Sequence, residues 1–269
     1  MQRWFEPNLS QPTPNPRVVL ITGATSGIGR ATALLLVALG HQVAAIGRRE
    51  DRLQALVDES ADLLGTLLPL VGDVTDAASM LYCVGETVAS FGRLDVLIAN
   101  AGLGQRGPLV EAEWQDIEDV LQTNVVGVLH SIRAAVPAMR ASGGGHIITI
   151  SSVVGPVPTP NAATYSASKA AVDSLAQSLR MELKTDGIWV TNVLVGQTHT
   201  EFATQRRGRS GKVASKLPTM TPEQVASRLA QTIERRRRTI TLRPLDRLIV
   251  FGGRFFPRWM DRLMYRIYR

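Results

Sequence analysis

Six short apolar runs, each followed by a turn and then an amphipathic stretch, constrain this chain more than any other feature. Val18 to Thr22, Gln42 to Ile46, Leu67 to Val71, Leu94 to Ala99, His146 to Ile150 and Ile188 to Leu194 are nearly continuous in apolar character, as expected of parallel strands buried on both faces. Helical periodicity fills the gaps, over residues 28–39, 51–64, 76–90, 111–140, 161–184 and 222–236, and Thr239 to Leu242 reads as a last strand. Strand and helix alternating in this way predict an α/β fold: a doubly wound parallel sheet, Rossmann-type, with helices on both faces of a single domain. At 269 residues the chain has interior for one large domain and no length for a second. Pro7, Pro12, Pro14 and Pro16 make residues 1–16 an extended or disordered arm. The Rossmann-type domain is read as 17–243, and 244–269 as a basic amphipathic tail.

Two stretches carry chemistry. Residues 22–29, TGATSGIG, follow the first strand and open the first helix. Glycines there let the backbone approach a pyrophosphate, and the helix start behind them offers unpaired N–H groups and a positive dipole end. The second stretch runs from Ser151 to Lys169. A helix from about residue 161 puts Tyr165 and Lys169 at i and i+4 on one face, with Ser152 thirteen residues before the tyrosine. An ammonium beside a phenol favours the phenolate, so Tyr165 is expected to titrate low and to serve as a general acid or base toward a carbonyl or an alcohol.

The single cysteine, Cys83, excludes an internal disulfide framework. Histidines 41, 130, 146 and 199 share no ligand spacing, so no metal site is expected, and most are read as surface or strand-edge residues. No apolar run is long enough for a spanning helix and no secretory leader is apparent, so the expected location is the cytoplasm, with peripheral contact at a membrane surface as an alternative.

These motifs resemble the short-chain dehydrogenase/reductase superfamily of the single-domain type. The matching positions, in order, are residues 22–29, Gly72-Asp73-Val74, Asn100-Ala101-Gly102, Asn124 in TNVVG, Ser152, and Tyr165-x-x-x-Lys169. The resemblance implies a catalytic set of Asn124, Ser152, Tyr165 and Lys169. Ser152 would bond the substrate oxygen, and Tyr165 would exchange the proton. Lys169 would bind the nicotinamide ribose and lower the Tyr165 pKa, while Asn124 would keep a water and Lys169 in a proton relay. It also implies a cofactor cradle of Gly23, Thr25, Ser26, Gly27, Ile28 and Gly29, then Asp73 and Val74 at the adenine, Asn100, Ala101 and Gly102 near the fourth strand, and Gly196, Thr198 and Thr200 at the nicotinamide. Two positions depart from the pattern: Ala99-Asn100 replaces a double asparagine, and Val195-Gly196 replaces Pro-Gly.

The second strand ends Ile46-Gly47-Arg48-Arg49, with glycine where an acid would receive the free 2′-hydroxyl of NAD. Arg48, with Arg49 as a second contact, can bond a 2′-phosphate instead. The cofactor is therefore expected to be NADP(H), with NAD(H) as the weaker choice. The expected reaction interconverts a carbonyl and a secondary alcohol. An NAD-linked alcohol dehydrogenase and a non-catalytic dinucleotide-binding scaffold or sensor are the alternatives. The loop Val153 to Pro160 suits an apolar small-molecule substrate. The stretch 201–218, with Arg206, Arg207, Arg209, Lys212 and Lys216, reads as a lid or a solvated loop.

The whole-chain charge of +7 hides an asymmetry. Residues 235–269 carry eleven arginines against Asp246 and Asp261, a charge of +9, which leaves −2 for residues 1–234. Within that tail Trp259, Met260, Leu263, Met264 and Ile267 form one helical stripe. It can meet an anionic membrane, or pack on the protein's own body or a partner subunit. Nucleic acid is a third reading, weakened by the absence of a recognised binding fold. Alanines 163, 167, 170, 171 and 176 suggest a helix face for close packing between copies, and a homo-oligomer is expected.

Overall fold

The computed structural model describes residues 13–208 and 218–268. Most of the N-terminal arm and residues 209–217 of the 201–218 stretch lie outside the described residues. Among the described residues nine strands form: β1 (Val18–Thr22), β2 (Gln42–Gly47), β3 (Thr66–Val71), β4 (Val96–Ala99), β5 (Gln105–Arg106), β6 (Gly145–Ser152), β7 (Ile188–Val195), β8 (Arg207–Gly208) and β9 (Thr239–Thr241). The helices are α1 (Gly27–Ala38), α2 (Glu50–Ser60), α3 (Ala77–Phe91), α4 (Trp114–Leu121), α5 (Gly127–Ala141), α6 (Ala163–Glu182), α7 (Pro222–Glu234), α8 (Pro244–Phe255) and α9 (Pro257–Tyr268). Seven strands make one parallel sheet in the order β3-β2-β1-β4-β6-β7-β9. The order reverses between β1 and β4, which opens a crevice at the carboxyl ends of the strands.

Alternation along each strand feeds two cores. Leu20, Ile46, Leu97 and Ile147 face Met80, Ile132, Ala135 and Val172. Val19, Ile21, Val43 and Ile98 face Leu36, Leu53, Val225 and Leu229. Thr221 and Gln224 close a reciprocal capping box ahead of α7, with Pro222 at its first position, where no N–H is needed.

Three expectations change. The stretch 111–140 is not one regular helix: α4 and α5 are joined by a π-helical turn, Gln122–Val126, in which the Gly127 N–H reaches back to the Gln122 carbonyl. A Cβ on Gly127 would lie 2.6 Å from Val74 Cγ2, so the close approach of β3's end sets the position. Within the tail, Gly252 and Gly253 sit inside α8, where Met260 and Val157 occupy the space that their Cβ atoms would take. The break falls at Phe256-Pro257, since proline has no N–H and pushes its predecessor out of the helical region. His41 and His146 are buried, not surface residues, and burial holds the His146 imidazole at about 4. On α6, Ala163, Ala167, Ala170 and Ala171 are exposed, whereas Ala176 belongs to the core.

The tail is fastened at its start. Arg243 grips Asp246 with two hydrogen bonds, 2.6 and 2.7 Å, and also donates to the Pro218 carbonyl. Asp246 is 1% exposed, and the pair stands where a Cβ on Gly196 would be. Removing one member of a buried ion pair leaves the other uncompensated. Asp246→Ala is therefore expected to lower unfolding stability by about 3–5 kcal/mol, read by denaturant titration. An unchanged midpoint would mean that the pair does not hold the tail.

Candidate active site

A cavity of about 520 Å³ runs along the crevice from Arg48 and Arg49 to Arg106 and Arg206. Its floor at one end is the turn from β1 to α1. Gly23 and Gly27 have φ of 68° and 52° there, a region glycine enters without steric cost. Ser26 precedes α1 without capping it by its side chain, so the first N–H groups of the helix remain available to an anion in the cavity.

All the residues expected at the site line this cavity except Gly29 and Asn124. Gly29 acts from behind: a Cβ on it would lie 2.3 Å from the Gly23 carbonyl oxygen and 2.6 Å from Asn100 Nδ2. Asn100 Nδ2 donates to the Thr22 and Gly23 carbonyls, fixing the glycine turn to the end of β4. Asn124, in the π-helical turn, is wholly buried. Its amide donates to the Leu103 carbonyl and Ser168 Oγ, both at 2.9 Å, and its Oδ1 accepts from the Leu103 N–H at 2.7 Å. The carboxamide thus ties α6 to the segment after β4.

Ser152 ends β6, and Tyr165 and Lys169 occupy successive turns of α6. Lys169 Nζ donates to the Ile150 carbonyl at 2.9 Å and lies 5.8 Å from the centroid of the Tyr165 ring. The electrostatics depart from the sequence expectation. Burial pushes the Tyr165 phenol above its ordinary value, with a hydrogen bond from Ser152 and the charge of Arg206 opposing the rise. The ammonium meant to soften it is itself disfavoured: burial lowers Lys169 to about 8, and Asp173 opposes that fall. In this state desolvation outweighs the charge effect that the i, i+4 spacing suggests.

Asp173 was not anticipated, although it sits one further turn along, at i+4 from Lys169. Burial raises its carboxyl, while bonds from Ser151 and Asn192 and the charge of Lys169 oppose the rise. Asn192 Nδ2 donates to it at 2.7 Å, and Thr149 Oγ1 donates to Asn192 Oδ1 at 2.9 Å. A polar chain therefore crosses β6 and β7 to support the lysine from behind.

At the other end, Gly47 is fixed by Thr25, whose Cγ2 lies 2.3 Å from where a Cβ would be; an acidic side chain does not fit without displacing it. Arg49 Nη2 donates to Thr25 Oγ1 at 3.0 Å. Arg48 lies 3.5 Å from Asp73 and is largely exposed. Asp73 titrates below its usual value: burial works to raise it, but the N–H and hydroxyl of Thr75 and the charge of Arg48 prevail. Glu201 accepts from Arg52 at 2.7 Å and approaches Arg49 to 3.7 Å, so the segment after β7 reaches across the crevice to α2.

The substrate end was only partly legible. β5 and β8 form a short parallel ribbon that brings Arg106 and Arg206 to the cavity. Arg206 lies over the Phe202 ring at 5.9 Å, and Phe202 lies 5.7 Å from Tyr165. Burial and the neighbouring Arg106 both disfavour the Arg206 charge. Gln105, 3% exposed, and Gln197 each leave a buried side-chain oxygen unpaired in this wall. Tyr268, from the end of α9, completes it. No sequence signal near the glycine turn or the tyrosine points to these residues; the ribbon and the tail bring them together.

Comparison with known proteins agrees with the geometry. Residues 17–210 match the family model described as short chain dehydrogenase. The chain belongs to the short-chain dehydrogenase/reductase superfamily. As a member it is an NAD(P)-dependent oxidoreductase. It is 36% identical over 216 residues, 77% of this chain and 85% of the relative, to an NADP-dependent 3-hydroxy acid dehydrogenase of Salmonella typhi. It is 36% identical over 191 residues to a 3-ketodihydrosphingosine reductase of Bacteroides thetaiotaomicron, covering 71% of this chain and 67% of that one. A short-chain dehydrogenase/reductase from Burkholderia phymatum, solved with NAD, superposes with a TM-score of 0.82 at 26% identity, over 92% of this chain and 96% of its own.

Proposed function

We propose that the protein is an NADP(H)-dependent oxidoreductase that interconverts a carbonyl and a secondary alcohol, with Tyr165 as general acid/base. The observation that carries this reading is the meeting of Ser152, Tyr165 and Lys169 on one wall of a cavity whose far end joins the α1 N-terminus to Arg48 and Arg49. NADP(H), when bound, supplies or accepts the hydride. Ser152 orients the substrate oxygen by hydrogen bonding, and Tyr165 Oη gives that oxygen a proton in reduction and takes it back in oxidation. Lys169, held by the Ile150 carbonyl, stabilises the phenolate left behind. Arg48 and Arg49 hold the 2′-phosphate, and Gly47 leaves no carboxylate to repel it.

The substrate end supports a narrower class than the apolar compound expected from the Val153 to Pro160 loop. Val153, Val154 and Phe202 accept an apolar body, but Arg106 and Arg206 stand at its end. Two adjacent cations favour a carbonyl substrate with an anionic group, such as a carboxylate, and disfavour an amine. NADPH oxidation with matched ketones, with and without a carboxylate, tests this. Arg206→Ala is expected to raise KM for the carboxylate about ten- to hundredfold, the range of one charge-assisted bond, and to leave KM for the neutral ketone near its original value. Equal changes for both sink the anionic preference; no reduction of any ketone with NADPH or NADH sinks the catalytic reading itself. The assembly is taken to be a homo-oligomer, with the exposed alanines of α6 open to a second copy, and sedimentation velocity reads its mass.

A further inference from the structure

The tail solves its packing in a way that leaves a second apolar face uncovered. Of the helical stripe in the sequence, Met260 and Met264 are buried against Val157, and Leu263 and Ile267 pack beside them with Ile249 and Tyr268. The stripe therefore belongs to the protein's own body. Trp259 does not follow it: it points outward and is 60% exposed. At the end of α8 and along it, Leu248, Phe251, Phe255 and Phe256 are likewise each 54 to 66% exposed. Leu248, Phe251 and Phe255 lie at i, i+3 and i+7, one outward line on α8, and the rings of Phe251 and Phe255 are 4.5 Å apart.

Arginines alternate with these residues along both helices. Arg247, Arg254, Arg258, Arg262 and Arg266 are all exposed, and Asp261 is the one exposed acid described on α8 and α9. Among the described residues, none of these five arginines is in an ion pair. Water-facing aromatic rings in such number call for a covering, and the charge selects which. A second copy meeting this face across a two-fold axis would bring the same five cations against themselves.

We propose that the outer face of α8 and α9 is a docking surface for an anionic lipid bilayer. The phenylalanines and Trp259 enter the headgroup–acyl boundary, and the arginines meet lipid phosphates. The fold gives this contact a use. The helix that turns Trp259 outward also carries Tyr268 into the cavity wall, so docking would set the substrate end of the crevice close to the membrane surface, where amphiphilic carbonyl compounds concentrate.

The test is co-sedimentation of the full chain with vesicles of phosphatidylcholine alone or mixed with phosphatidylglycerol, alongside two variants. One is Arg254→Gln/Arg258→Gln/Arg262→Gln; the other is Phe255→Ser/Phe256→Ser/Trp259→Ser. The unaltered protein is expected to sediment with the anionic vesicles only, and less at high salt. At roughly fivefold per arginine, the first variant should bind about a hundredfold more weakly, and the second should lose binding at any salt. Unchanged melting temperature and NADPH binding show that each variant is folded; where a variant melts early, quenching of Trp259 by lipids brominated along the acyl chain decides in the unaltered protein, against Trp259→Phe. The proposal is overturned if the unaltered protein stays in solution with anionic vesicles, or if both folded variants bind as it does. It is equally overturned if the aromatic variant lowers the oligomeric mass, which would make the patch a subunit interface, or if RNA captures the protein and anionic vesicles do not.

Discussion

Tyr165→Phe is expected to reduce carbonyl turnover about 10²- to 10⁴-fold, the contribution of a positioned proton donor, while NADPH still binds and the melting temperature holds. The change deletes one oxygen. The ring keeps its place beside Phe202, and Lys169 keeps its bond to the Ile150 carbonyl, so the cofactor cradle is undisturbed. The pH dependence follows from the same burial. Because the phenol is pushed up, it stays protonated through neutral pH, as a donor in reduction requires. Lys169, lowered to about 8, loses its proton first. In the reduction direction kcat/KM, which reports groups of the free enzyme, should fall as pH rises through about 8, with the lysine setting the limb. Turnover by Tyr165→Phe close to that of the unaltered enzyme would remove the phenol from the mechanism.

The second large effect concerns the cofactor. Replacing Arg48 and Arg49 together by alanine should raise KM for NADPH about a hundredfold or more, since each charge-assisted bond to a phosphate is worth roughly ten- to hundredfold. KM for NADH, which lacks the 2′-phosphate, should barely move. The nearby acid works against the phosphate: Glu201 lies 3.7 Å from Arg49 in a partly exposed pair, and pairs open to solvent contribute little. The phosphate should therefore displace it readily. If NAD(H) serves the unaltered enzyme at least as well as NADP(H), and the double variant is unimpaired, the preference is wrong.

Arginine also decides matters at the other two places where structure departs from sequence. At the substrate end, Arg106 and Arg206 are 100 residues apart in the chain and meet only because β5 pairs with β8. In the tail, the positions of the arginines were plain, but which apolar residues would stay exposed beside them was not. A periodicity of apolar residues tells which side of a helix is apolar; it does not tell which of two apolar sides meets the protein.

The seven strands of the main sheet, the glycine turn and the spacing of Tyr165 and Lys169 were determined by sequence, because hydrophobic period and local backbone demands act over a few residues. The π-helical turn that commits Asn124 to Leu103, the seating of Gly252 and Gly253, and Asp173 behind Lys169 rest on close approach between distant segments. The direction of the Tyr165 shift belongs with them. Sequence places a cation one turn away, but desolvation depends on how much water the finished fold excludes, and only the tertiary structure decides that.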